Sequence, residues 1–395
     1  MGVPTKLADA RQPSLMDARS HDLPKPVGRI NGLRIFSDRK QLWLVGFVFV
    51  IAALLFLPDF RLNLLAKYLC FAIAAIGIDL IWGYCGMLSL GQGVFFGLGA
   101  YAFGMYLKLE ASGSQLPDFM IWSGLEKLPA FWEPFYNPYF AFSVAIIGPM
   151  ILATILGWLL FRSRIQGVYF SIVTQALAVI LVTLFIGQQP ITGGTNGVTN
   201  FKTIFGLPLV DPKVQKILFL ITVASLGAAY LLCRRLVNSR YGRILIALRE
   251  DENRVRFLGY DPVPLKTFAF AISAGLAGLA GALFVLQVGL ISPSAMGIVP
   301  SAEMVIWVAV GGRGTLIGAI IGALLVNFGK TTFSELFPEA WPYFYGLLIA
   351  SVLLFPGGII GLLRKCTDRL STKFSGSQFG ENSRTKTNSE LQNIT

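Results

Sequence analysis

Histidine, cysteine and charge are all scarce in this sequence. Its 395 residues include one histidine and four cysteines, and only 14% are charged. The lone histidine, His21, lies in a polar N-terminal stretch, so a histidine-based triad or zinc site is out of reach. Cys70, Cys85, Cys233 and Cys366 are scattered and form no CxxC pair, which leaves no disulfide frame and no metal site. A phosphate-cradling loop, G-x-x-x-x-G-K-[ST], is missing as well. Gly329-Lys330-Thr331 imitates its end, but the first glycine would stand at 324, where the residue is Leu324. The chain alone therefore has no such ATP site, and Lys330 reads as an interface anchor. So few charges also exclude the surface of an ordinary water-soluble globule.

What is present is apolar. Hydrophobic residues make up 54% of the chain, with 42 glycines, as expected where helices pack closely in lipid. Apolar runs fall at about 42–58, 63–82, 89–107, 138–161, 168–187, 214–233, 267–287, 301–311, 313–329 and 341–363. Each long run suffices to cross a hydrocarbon core of ~30 Å. The short run 301–311 reads as a broken or re-entrant helix, tolerated where protein buries it. The expectation is an all-α polytopic membrane protein of about ten transmembrane helices. Its organisation is a polar arm over 1–40, a membrane domain over 41–365 and a polar tail over 366–395. The arm has no apolar core and is no secretory signal, and Lys6 stands where a myristoylation motif needs Ser or Thr.

The net charge of +12 is compatible with nucleic acid, but its distribution points to a membrane. Segments 1–40, 162–167, 234–266, Arg313 and 364–395 carry +4, +2, +4, +1 and +3, so everything else is −2. With ten crossings these basic segments all fall on the cytoplasmic side, and both termini with them. Nine crossings would put one basic end outside. Residues 108–137, rich in aromatics, and the glycine-rich 188–212 then face outward.

Ionisable groups inside spans are functional suspects by default. Asp79 and Glu303 qualify, and Lys67 sits near a membrane edge where it can snorkel. Gln92, Ser171, Thr174, Gln175 and Gln287 are polar residues within spans, and the bland reading of each is an interhelical hydrogen bond. As a substrate pathway, Asp79, Gln92, Thr174, Gln175 and Glu303 are the candidates. Two isolated carboxylates give little support to an ion-coupled carrier.

The loop 234–266 is a charged island between apolar runs. Ile244, Leu248, Val255 and Leu258 recur near helical spacing, with Asp251 breaking the stripe. Glu250 and Arg254 stand at i,i+4 with the acid first. Gly259 suits a helix end, and Asp261-Pro262 prevents its return. The pattern predicts a short helix, one face apolar and one charged, suited to a groove on a soluble partner. The docking candidates are Leu248, Arg249, Glu250, Asp251, Glu252, Asn253, Arg254 and Gly259.

At these residues a resemblance emerges. "ALREDENRVRFLGYDPVPLKTFAFAISAGLAGLAGAL" resembles the cytoplasmic coupling segment of ABC importer permeases of the branched-chain amino acid and urea group. "IDLIWGYCGMLSLGQGVFFGLGAYAFGMYL", "GGTNGV" and "VAVGGRGTLIGAIIGALLVN" are similar to that family too, so the resemblance covers about 60–365. The segments "LPDFMIWSGLEKLPAFWEPFYN", "ENRVRFLGYDPV", "AEMVIWVAVGGRGTL" and "FSELFPEAWPYFYG" look most like the longer permease subunit of the urea branch. The resemblance implies a permease for urea in the cytoplasmic (inner) membrane, not an enzyme. A branched-chain amino acid permease is the alternative, and a passive channel or ion-coupled carrier the more distant one. It also implies a second permease subunit, two ATP-binding subunits that hold ATP and Mg, and an extracytoplasmic substrate-binding protein. No cofactor, metal, catalytic residue or nucleic acid is expected on this chain.

Overall fold

The computed structural model describes residues 39–340 apart from 114 and 202, together with positions 343, 346, 358, 359 and 361. The polar arm, except its last two residues, lies outside the described residues, as do the polar tail and most of the run 341–363. The chain divides between Phe49 and Val50 into two units. The described part of the first is the opening of α1 (Arg39–Phe56), and everything below belongs to the second.

The apolar runs become helices. In chain order these are α2 (Asp59–Asp79), α3 (Gln92–Ser112), the short α4 (Asp118–Trp122), α5 (Pro138–Arg162), α6 (Val168–Gly187) and the short α7 (Gln189–Thr192). Next come α8 (Pro212–Asn238), α9 (Arg240–Glu250), α10 (Glu252–Phe257), α11 (Pro262–Val288), α12 (Ile298–Gly311) and α13 (Leu316–Leu336). A π-helical segment, Leu80–Tyr84, extends α2. Nine of the ten apolar runs fall on helices, and the tenth is the run at 341–363. Among the described residues, six helices are long and apolar enough to cross a membrane. The fold is all-α as expected, apart from four two-residue strands: β1 (Val198–Thr199), β2 (Thr203–Ile204), β3 (Leu207–Pro208) and β4 (Leu290–Ile291).

Local chemistry sets the helix starts. Asn137, Asp211 and Asp261 cap α5, α8 and α11, accepting from the backbone N–H two residues on, and a proline follows each at the first helical position. The proline lacks the N–H that would be orphaned there, and its φ already suits the helix. α12 has 14 residues, which at 1.5 Å each is about 21 Å, too short for a ~30 Å core. It stops at Gly312, whose φ of +120° only glycine adopts easily.

The centre of the bundle is α11, which packs on α2, α3 and α5. A Cβ at Gly281 would meet Ala100 N at 2.9 Å and the Phe96 carbonyl of α3 closer still. Gly278 stands in the same way against Ala145 and Pro149 of α5. Lipid tails are as apolar as the helices, so close backbone approach, rather than hydrophobic collapse, holds such spans together. A run of ring contacts, Phe161–Phe170–Phe270–Phe95, ties α5, α6, α11 and α3.

The loops sort to two ends. At one end β1 pairs antiparallel with β4, and Glu110 accepts from Gly206 N at 2.7 Å. Lys108 and Asp118 form an ion pair of 2.9 Å there. This end holds both segments predicted to face outward. At the other end lie the π segment, α9, α10, the α5–α6 loop and the 312–315 turn, which gathers the basic segments 162–167 and 234–266 with Arg313.

Candidate functional site

The charged island is two helices, which corrects the single helix read from sequence. Asp251 leaves the helix (φ −158°, ψ 103°), and its carboxylate accepts from Asn253 N and Arg254 N at 3.0 and 3.2 Å. An aspartate so placed satisfies the orphan donors of a new helix and therefore starts α10. Ser239 does the same for α9, accepting from Gly242 N at 3.4 Å. Gly259 closes α10 at φ +88°, with its N–H donating to Arg256 O at 2.9 Å, and Asp261-Pro262 starts α11.

Leu248 and Val255 are buried, as the apolar stripe predicts. Leu258, the fourth member of the stripe, is not: it is 76% exposed beside Phe257 at 91%. With Tyr260 they form an apolar tip between α10 and α11, next to exposed Asn253, Arg254 and Gly259. Large side chains exposed together at the tip of a charged segment are suited to a contact surface. Sequence periodicity missed Phe257 and Tyr260 because the restart at Asp251 rotates everything beyond it.

Glu252 reads from sequence as a solvent-facing docking charge, and the structure places it inside. Its side chain is 10% exposed, and Arg256 donates to it at 2.7 Å. Lys266 of α11, 8% exposed, donates to its other oxygen. Burial works to raise the Glu252 carboxyl, but the hydrogen bonds from Lys266 and Arg256 outweigh it and hold the group below the ordinary glutamate range. Lys266 also lies 5.9 Å from the Phe161 ring centre. Glu252, Lys266, Arg249 and Cys85 line a polar cavity of about 250 Å³ between the island and the bundle.

Arg249 also turns inward. Its Nη1 donates to Gly83 O, in the π segment, at 2.6 Å, while Nη2 and Nε donate to Glu250 Oε1 at 2.6 and 3.1 Å. Glu250 is exposed. Asp79, one turn before Gly83, accepts from Gly314 N at 2.7 Å through Oδ1, and its buried Oδ2 has no partner among the described residues.

The structure does not gather the five pathway candidates. Gln92 is buried between α3 and α11, donating to Ser273 O and Oγ at 3.1 and 3.0 Å, with Oε1 unpartnered among the described residues. Thr174 donates to Ser171 O at 2.9 Å and accepts from Leu90 N at 3.1 Å, so its hydroxyl is used in joining α6 to the 88–90 segment. Gln175 is half-buried on the same helix. Glu303 is not the isolated carboxylate the sequence suggests. Lys330 donates to both its oxygens at 2.8 and 2.9 Å, beside a cavity of about 310 Å³ that Lys67 also lines. Gly329-Lys330-Thr331 lies inside α13, where no phosphate-cradling loop can form.

Apolar helices around a glycine-packed centre, with a charged two-helix island at one end, define a polytopic membrane protein. The model of the family described as branched-chain amino acid transport system / permease component matches residues 60–355, and the chain belongs to that family. The high-affinity branched-chain amino acid transport system permease protein LivM of Salmonella typhimurium is 27% identical over 330 residues, covering 78% of this chain and 72% of its own. LivM of Escherichia coli is 28% identical over 318 residues, 74% and 68% of the two chains. LivH of Salmonella typhimurium is 23% identical over 314 residues, 74% and 91%. No solved structure matches. The chain is thus a permease component and not an enzyme.

Proposed function

We propose that this chain is one membrane subunit of an ATP-driven importer for a small nitrogenous solute. One observation carries the reading. The family match spans the island, and the island exposes Phe257, Leu258 and Arg254 while its other side is tied to α2 and α11. A contact surface fixed to helix ends transmits force, and a mere connecting loop needs neither. The partners are a second permease subunit, two ATP-binding subunits that hold Mg-ATP, and an extracytoplasmic binding protein. The membrane is the cytoplasmic one, with the island and both termini inside, following the charge partition.

Two substrates divide the proposal. The LivM and LivH relatives favour a branched-chain amino acid, which has the better support from the comparisons. Urea is the narrower reading, supported by the resemblance of the 116–137 insert and of the 302–316 and 333–346 segments to the urea branch. The test is uptake of radiolabelled urea and leucine by cells lacking this chain and by the complemented strain. Loss of urea uptake alone decides for urea, and loss of leucine uptake alone for the amino acid. If both persist after ATP depletion, the ATP-driven reading falls.

A further inference from the structure

The island's inner contacts show where movement of its outer surface would go. Glu250 is exposed at that surface, and its Oε1 is held by two nitrogens of Arg249. The third nitrogen of the same guanidinium donates to Gly83 O at 2.6 Å, 166 residues away in sequence. Gly83 lies in the π segment Leu80–Tyr84, where i→i+5 bonds leave the end of α2 wound more loosely than the rest. A helix's last carbonyls lack partners and carry its negative end, so a guanidinium there is both a hydrogen-bond cap and a charge match.

One turn back, Asp79 Oδ1 accepts from Gly314 N at 2.7 Å, in the turn between α12 and α13. Gly83 has no space to spare: a Cβ there would meet Gly314 N at 2.6 Å and Gly314 Cα at 2.8 Å. Arg313 in the same turn lies 5.2 Å above the Trp82 ring, and a Cβ at Gly358 would meet Gly312 N at 2.5 Å. The exposed Glu250, the π segment and the α12–α13 turn are therefore joined by a run of direct contacts. π segments recur at functional positions, and a return of this one to regular helix would shift the register of its last turn. Here the carbonyl that such a shift would move is the one Arg249 holds.

We propose that Arg249 is a positioning residue for transport, which couples the docking island to the π-helical end of α2 and, through Asp79, to the α12–α13 turn. It neither touches the solute nor holds the ATP-binding subunits. The inference rests on the importer reading given above. It differs from a docking role in one respect: a docking residue holds the partner, whereas Arg249 conveys the partner's motion inward.

The test uses the whole transporter with its ATP-binding subunits, reconstituted in liposomes. Arg249→Met should keep those subunits bound and basal ATP hydrolysis near wild type, while ATP-driven uptake falls by about tenfold, as for loss of one charge-assisted hydrogen bond. Arg249→Lys, which can still donate one bond to Gly83 O, should recover part of the uptake. Loss of the subunits along with uptake would make Arg249 a docking residue, and retention of both would make the bond inert; either result overturns the proposal. Amide exchange on the wild-type transporter decides independently of how the variants fold. Residues 80–87 and 312–316 should change protection between the ATP-bound and ATP-free states together with α9. A change in α9 alone would also overturn the proposal. If no ATP-binding subunit joins the wild-type chain at all, the importer reading fails, and that outcome is distinct from the others.

Discussion

Replacing Glu252 by Gln should loosen the docking island by about 2 kcal/mol. The magnitude follows from the surroundings. Removing one partner of a buried ion pair costs ~3–5 kcal/mol, because the other charge stays behind uncompensated. Here that charge is Lys266, 8% exposed on α11. Arg256 is 31% exposed and can turn to water, and Gln keeps one acceptor oxygen, so a figure of about 2 kcal/mol is the reasonable one. That raises the local opening constant by about thirtyfold. Amide exchange over 252–260 in the purified protein measures it, with Glu250→Gln as control. Glu250 is 68% exposed, and its loss should shift stability by about 0.5 kcal/mol or less. The pH dependence has a definite sign. The folded Glu252 carboxyl lies below its ordinary 4.5, so its stabilisation is complete above that value and disappears as pH falls through the lower, folded one. The protection of 252–260 in the wild type, taken relative to the intrinsic exchange rate at each pH, should therefore fall in acid, while the Gln variant shows no such step. If the variant exchanges within about twofold of wild type at neutral pH, the Lys266–Glu252–Arg256 cluster does not hold the island, and the reasoning fails.

Three further outcomes are expected. Gly259→Val should destabilise the end of α10 by ~1–2 kcal/mol through backbone strain alone, since φ is +88° and a Cβ would meet no atom within 4 Å; an unchanged exchange rate at 257–261 would contradict this. Gly83→Ala should lower the melting temperature, because its Cβ would overlap Gly314, at a cost of about 1–3 kcal/mol; a wild-type melting curve would refute the close approach. In a background without native cysteines, Lys127→Cys should react with an impermeant thiol reagent from outside intact cells and Asn238→Cys should not; labelling of Asn238→Cys would overturn the assigned orientation.

The fold was legible where it depends on composition and local order. Runs of ~20 apolar residues mark spans whatever their neighbours are, because lipid acts on each helix separately. Asn137-Pro138, Asp211-Pro212 and Asp261-Pro262 mark helix starts through atoms two residues apart. Asp251 carries the same chemistry without the proline, and the surrounding helical periodicity hid it. A polar residue that breaks an apolar stripe has two meanings, a charged face or a new N-cap, and sequence spacing does not separate them.

The site was legible only in part, for a different reason. The island's charges were visible, but their partners were not. Lys266 reaches Glu252 from 14 residues away and Gly83 meets Arg249 from 166, across helices whose neighbours are chosen by packing of small residues. Those partners decide which charges face inward. Glu252 and Arg249 have the same residue types and spacing as solvent-facing groups, yet both are held by the bundle, and what remains outside is Glu250, Asn253, Arg254 and the apolar tip. The proposed docking role needs this division, because a surface that pulls on a membrane domain has to be fixed to it. Charges facing only water would let the island swing on flexible ends, and the partner's movement would be lost in that motion. The buried pair fixes α10 to α11, the guanidinium fixes α9 to α2, and the capped break at Asp251 lets the two short helices point these struts in different directions.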